Sequence, residues 1–282
     1  MENEIKVLDH GFVRLIDYLG DDQRIVDAAR CSLGDKSKTK QNNRNLIRYM
    51  LRNHHTSPFE QVVFVFDCKM PIFVARQWVR HRTARLNELS GRYSEMPEEF
   101  YVPETDQVRA QSKSNKQGRD EALPLTLTED FRGFCQGHGI NVFKVYQRYL
   151  GDDIARETAR INLPLSTYTQ WWWQMDLNNL FHFLKLRMDE HAQWEIRQYA
   201  NAIYEIIKPI VPLAVEAWED YILNAKTFSK QEMQVLDDCL TDLYDYKFGN
   251  DNEEIEAYLN KIGKRYGLSK RELEEFKKKL GL

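Results

Sequence analysis

Mixed helices and strands, followed by a separate helical extension, form the fold class that the sequence predicts, and three observations carry it. Residues 61–69 alternate their side chains between two faces, and residues 167–174 are rich in β-branched and aromatic types, as strands are. Apolar residues recur at helical spacing in other segments, clearest in Leu46, Ile47, Met50 and Leu51. Beyond Asn224 the composition turns charged, and Ser229-Lys230-Gln231-Glu232 and Ser269-Lys270-Arg271-Glu272 are capping-box signatures flanking an amphipathic stretch at 253–264. The expected organisation is one large unit over residues 1–224 and a helical extension over 225–282.

With 282 residues and 42% hydrophobic content, the chain can bury a large core. A net charge of −3 argues against general nucleic-acid binding, which needs basic excess over a surface. Cys31, Cys68, Cys135 and Cys239 lack any metal-ligand or disulfide spacing, so no metal is expected and the thiols should be reduced. The first residues lack the basic and apolar regions of a signal peptide, and no apolar run reaches membrane-spanning length. A cytoplasmic protein without membrane or nucleic-acid partners is expected.

In chain order, Ile5–Leu8 and Phe12–Leu19 read as strands around a turn at His10-Gly11, although Leu15-Ile16 equally suits a helix start. Asp22 is placed to cap a helix through Ala29, and Asn45–Asn53 reads as a second helix. Ser57 precedes Pro58 and so belongs in a turn, while His54-His55 suits either a helix C-terminus or a ligand site. After the strand at 61–69, Pro71 suits the opening of a helix over 72–81, which sets Arg76, Gln77 and Arg80 on one face and Val74, Ala75 and Trp78 on another. A loop is predicted over Asn87–Gly91, extended chain over Tyr93–Val102, and an exposed polar insertion over Glu104–Glu121.

Helices follow at 129–149 and at 154–160, the second capped by Asp152 or Asp153. Trp171-Trp172-Trp173 lies on the strand at 167–174, where burial in a sheet or subunit contact outweighs stacking on a ligand. Asp176 can cap a helix whose Asn178 and His182 share one face while Leu177, Leu180 and Leu184 pack. Further helices are predicted at 192–207 and 213–223.

Chemistry concentrates in Arg76–Tyr93, where five arginines and one histidine surround a single acid, Glu88. Guanidinium groups so close repel unless an anion neutralises them, and their planar forks match phosphate oxygens. A solvated basic face is the plainer reading, but Trp78, Val79, Leu86 and Leu89 interleave the charges and would anchor the stretch.

Arg80-His81-Arg82-Thr83-Ala84-Arg85-Leu86-Asn87-Glu88-Leu89-Ser90-Gly91-Arg92 resembles the signature R-H-R-x-x-S-x-N-E-x-S-x-R of the flavin-dependent thymidylate synthases. The resemblance extends to His55–Glu60, Arg160–Leu165, Leu186-Arg187 and His191–Ile196, covering residues 5 to 223. It implies an α+β fold of that type and a homotetramer with active sites between subunits. It also implies bound FAD and reductive methylation of dUMP to dTMP, with 5,10-methylenetetrahydrofolate and NADPH as co-substrates. By resemblance Gln77, Trp78, Val79, Arg80, Glu88, Leu89, Ser90, Gly91, Arg92, Arg160 and Arg187 would bind dUMP. Ser57, Arg80, His81, Arg82, Glu88, Asn178 and His182 would bind FAD. Arg187 would act on the uracil, and His55 would stand near the flavin as a second catalytic candidate. Arg85 departs from the signature's serine, and Asp176 and Asn178 stand where some members carry Asn-x-Arg. A nucleotide- or RNA-binding protein of the same fold without chemistry is the alternative.

Overall fold

The computed structural model describes residues 4–31, 43–113, 117–244, 252–268 and 270–280. The chain divides into two compact units, Met1–Leu223 and Asn224–Leu282.

The first unit is built on an antiparallel sheet. Strands β1 (Glu4–Val7) and β2 (Gly11–Leu19) form a hairpin whose turn holds Leu8 at a φ of 60°. Gly11 is required there, because a Cβ would lie 2.1 Å from the Tyr199 hydroxyl and 2.6 Å from the Val7 carbonyl oxygen. Helices α1 (Asp22–Cys31) and α2 (Asn43–Arg52) follow, then the central strand β3 (Val63–Pro71) and helix α3 (Ile72–Trp78). Strand β4 (Arg85–Glu88), the small hairpin of β5 (Arg109–Gln111) and β6 (Arg119–Ala122), and the long helix α4 (Leu125–Gly151) come next. The unit finishes with α5 (Arg156–Ala159), β7 (Tyr168–Asp176), α6 (Leu177–Arg187), α7 (Trp194–Ile207), α8 (Pro212–Trp218) and a π-helical turn at Glu219–Leu223.

The main sheet runs β1-β2-β3-β7-β4. On β3 the inward residues Phe64, Phe66, Cys68 and Met70 are fully buried, and on β7 Trp171, Trp173 and Met175 join them beneath α3, α6, α7 and α8. Trp172 points the other way and is 53% exposed. Asp67 is buried among β3's outer residues, where its carboxylate accepts from the Gln170 amide at 2.8 and 3.0 Å and pairs with Arg14 at 3.5 Å.

Four local expectations change. Asp21, not Asp22, caps α1 by accepting from the Gln23 and Arg24 amides. Asp22 instead accepts from the Leu213 and Ala214 amides at 2.7 and 2.9 Å, capping α8 from a distant part of the chain. Asp22→Ala should therefore cost about 1 kcal/mol or somewhat more, read as a lower denaturant midpoint, whereas a purely local cap would loosen α1 alone. Residues 85–88, the last two of which the sequence placed in a loop, form an edge strand because β7 offers an unpaired edge. Helix α5 starts after Ala155, with no side-chain cap from Asp152 or Asp153. Finally, the polar 104–121 segment is not simply exposed, since its Arg119 reaches the buried Glu195.

In the second unit, α9 (Lys230–Tyr244), α10 (Asn252–Arg265) and α11 (Lys270–Leu280) pack around Val235, Leu259, Ile262, Leu268, Leu273 and Phe276. The capping box at α9 is formed, with the Ser229 amide donating to Glu232 at 2.6 Å and the Glu232 amide donating to the Ser229 hydroxyl at 3.2 Å. The second expected cap, Ser269, lies outside the described residues.

Candidate active site

Helix α3 fixes the arginine-rich stretch through one side chain. Trp78 is fully buried, with its ring 5.2 to 5.7 Å from those of Trp171, Trp173, Phe183 and Tyr199. The expectation that Trp78 contacts dUMP is corrected for its side chain: the indole is a core anchor and has no free face for a ligand. Its neighbours are the available groups, for Gln77 is half-buried and Val79 and Arg80 are exposed. The helix stops at Trp78, so Arg80, His81 and Arg82 lie in the turn that follows and not on the helical face.

Beyond the turn, β4 carries the signature along the edge of β7. Glu88 accepts from the Thr169 hydroxyl at 2.6 Å, and the Leu89 amide donates to the Gln170 carbonyl at 2.8 Å. A turn then closes on Ser90, whose carbonyl accepts from the Tyr93 and Ser94 amides at 3.0 Å. Gly91 is buried, and a Cβ there would sit 2.8 Å from the Met96 sulfur and 3.0 Å from Cδ of Arg160. Glycine thus lets Arg160 close against the Ser90–Arg92 turn, joining two separated parts of the predicted dUMP set. Arg92 pairs with Glu157 at 3.1 Å in an exposed contact that adds little stability.

A second grouping forms where α6 ends. Arg187, half-buried, donates through Nε to Nε2 of His81 at 3.0 Å and through Nη2 to the Gln77 carbonyl at 3.2 Å. Both acceptors are neutral, so the guanidinium charge is held in place without being cancelled by these bonds. Accepting at Nε2 requires His81 to be unprotonated there. Burial foremost, then the charge of Arg187 and the neighbouring His182, lowers this imidazole to about 4.

A pH prediction follows from that depression. The unfolded chain takes up the histidine proton near 6.5, before the folded one. The contribution of His81 is complete above that pH and is lost as pH falls from about 6.5 towards 4. Histidine-resolved NMR should show His81 neutral at pH 5.5 while the denaturation midpoint declines on acidification. A His81 midpoint near 6.5 would remove this reasoning.

The His81 ring lies 6.0 Å from His182. His182 in turn lines a cavity of about 190 Å³ with His54, His55, Asn178, Lys185, Phe181 and Trp218. Imidazoles, an amide and an ammonium beside buried aromatic residues suit an anionic, planar group in donor chemistry, and FAD is both. The volume holds only part of a dinucleotide. Lys185 was not singled out in the sequence, although it was detectable three residues beyond His182, on the same helical face; for His54 the sequence left a ligand site and a helix C-terminus both open. Asp176 faces its own helix, accepting from the Asn179 amide at 3.0 Å and the Asn179 side chain at 2.7 Å. Ser57, Arg80 and Arg82 are exposed.

Behind Gln77 lies a chain that sequence reasoning quoted only as part of a motif. The Gln77 amide donates to Gln193 Oε1, and Gln193 Nε2 donates to Glu195 at 2.8 Å. Glu195, 2% exposed, also receives Tyr101 at 3.0 Å and Arg119 on both oxygens.

The fold and site define an α+β protein with arginine-rich surfaces suited to anionic, nucleotide-sized ligands. The family model described as thymidylate synthase complementing protein matches residues 14–213. A flavin-dependent thymidylate synthase of Treponema denticola is 52% identical over 282 residues, spanning 99% of this chain and 98% of its relative. That of Thermus thermophilus is 52% identical over 237 residues, 84% of this chain and 86% of its own. A crystal structure of the UMP/dUMP methylase PolB from Streptomyces cacaoi, bound with 5-Br UMP, superposes with a TM-score of 0.70 at 32% identity, covering 77% of this chain and 97% of that one. The chain belongs to the family of flavin-dependent thymidylate synthases.

Proposed function

We propose that this protein methylates dUMP reductively to dTMP, with FAD as cofactor and 5,10-methylenetetrahydrofolate and NADPH as co-substrates. The observation that carries the reading is Arg187, a half-buried guanidinium held by a neutral imidazole and a carbonyl oxygen, with donors left for a ligand. Directed at the uracil, those donors stabilise negative charge on the base as N3 loses its proton, which raises electron density at C5 for attack on the methylene donor. Bound flavin supplies the hydride. His55, Asn178 and His182 would hold part of it, with Ser57, Arg80, His81, Arg82 and Glu88 contributing from the adjoining turn and strand. Arg160 and the Ser90–Arg92 turn would receive the nucleotide's phosphate, for which their N–H donors are suited.

The family resemblance implies a homotetramer, in which other copies would complete the walls of the partial cavity. The cytoplasm is the compartment proposed, on the scattered spacing of the four cysteines. A non-catalytic nucleotide- or RNA-binding role has no specific observation in its favour.

The deciding experiment is dTMP formation from dUMP, methylenetetrahydrofolate and NADPH by the FAD-loaded protein, and a flavin-loaded protein that makes none would overturn the reading. Arg80→Ala should weaken dUMP or FAD by about tenfold, the loss of a charge-assisted bond of roughly 1.5 kcal/mol. Unchanged affinities for both in titration calorimetry would exclude Arg80 from the clamp.

A further inference from the structure

We propose that Glu195 is a positioning residue for the nucleotide site, setting through Gln193 which end of the Gln77 amide faces the substrate. The inference rests on Gln77 lying in the dUMP site. Glu195 is buried and accepts from a permanent cation, Arg119, and from the Tyr101 hydroxyl. Burial, followed by the nearby Glu195 charge, pushes the Tyr101 phenol upward, so it stays a donor. A carboxylate so placed has only acceptors to offer a third partner. Gln193 must turn its NH₂ towards Glu195, as it does at 2.8 Å. Its carbonyl then points at Gln77, whose own NH₂ must turn to meet it.

Direction therefore propagates from a buried charge to the site. Gln77 presents its amide carbonyl, with one remaining N–H, to the ligand. A dianionic phosphate has no proton to give a carbonyl, whereas the deoxyribose 3′-hydroxyl does, so the carbonyl is matched to the nucleoside part. Because the Gln77 backbone carbonyl also accepts from Arg187, the relay and the uracil-directed guanidinium meet on one residue.

The test compares dUMP affinity by calorimetry in the FAD-loaded protein, with kcat and KM beside it. Glu195→Gln frees Gln193 to flip and should weaken dUMP about tenfold with kcat changed much less. Gln193→Met leaves the Glu195–Arg119 pair intact but cuts the relay, and should weaken dUMP equally even if Glu195→Gln does not fold. Moving the acceptor-only group one step, in Glu195→Gln combined with Gln193→Glu, restores the demand for the Gln77 NH₂ and should recover most of the affinity. Tyr101→Phe removes a donor without changing direction and should stay within about twofold. Wild-type affinity in Gln193→Met would overturn the proposal, as would a double variant no better than Glu195→Gln alone. If the wild type binds dUMP but makes no dTMP, the reaction reading fails while the affinity comparison still decides this one; if it does not bind dUMP, both are overturned.

Discussion

Arg187→Ala is expected to lower turnover by about 10²–10³-fold, the cost of removing a charge-stabilising donor from a prepared site. Folding should be nearly unchanged, because the side chain ends α6 at its half-buried rim and is not part of the core. The variant should still bind flavin, since the His54–Lys185 cavity does not include Arg187. Lysine at this position should recover little. It keeps the charge but not the planar fork that spans His81 and Gln77 while serving a ligand. Steady-state dTMP formation with near-ultraviolet circular dichroism separates these effects, and full activity in Arg187→Ala would remove the uracil-directed role.

Trp78→Ala is expected to act on stability first. A fully buried indole meeting four aromatic neighbours leaves a cavity when removed, and such changes cost about 3–5 kcal/mol. That is a large share of the roughly 5–15 kcal/mol by which domains are stable. Loss of dUMP affinity should accompany it, because Gln77 and Arg80 flank the vacated anchor. Trp172→Ala, at a half-exposed position on the opposite face of β7, should cost far less. Chemical denaturation of both variants checks the contrast, and equal losses would contradict the separation of core and surface tryptophans.

Much of this was legible in the chain. Alternation on β3 and the aromatic run on β7 marked the sheet because one face of each is buried. Asp176 read correctly as a cap, and Asn178 with His182 read correctly as a shared face, since both are local geometry. What escaped depended on partners far away. Residues 85–88 are exposed along their length and carry no alternation, so only the free edge of β7 makes them a strand. Asp21 and Asp22 are adjacent acids, and nothing local says that the second belongs to α8. Periodicity put Trp78 on the packing face, and its full burial there limits what the resemblance can ask of the indole. Arg119 fell in a stretch read as exposed and Glu195 stood only within the His191–Ile196 motif, because burial of an ion pair is decided by what folds over it.

The strand order β1-β2-β3-β7-β4 has a consequence for the timing of folding. The signature strand β4 docks on β7, so Arg85–Glu88 has no sheet to join until Trp171–Gln174 has been synthesised. The α8 cap is later still, joining Leu213 to Asp22 across 191 positions. Long-range pairings of this kind slow folding and leave early segments unprotected while synthesis proceeds. A ligand stabilises only a state that can bind it. Flavin and nucleotide therefore cannot shelter the nascent arginine-rich segment, and a chain released before Tyr168 would present that segment to chaperones and proteases with neither sheet nor cofactor to hold it.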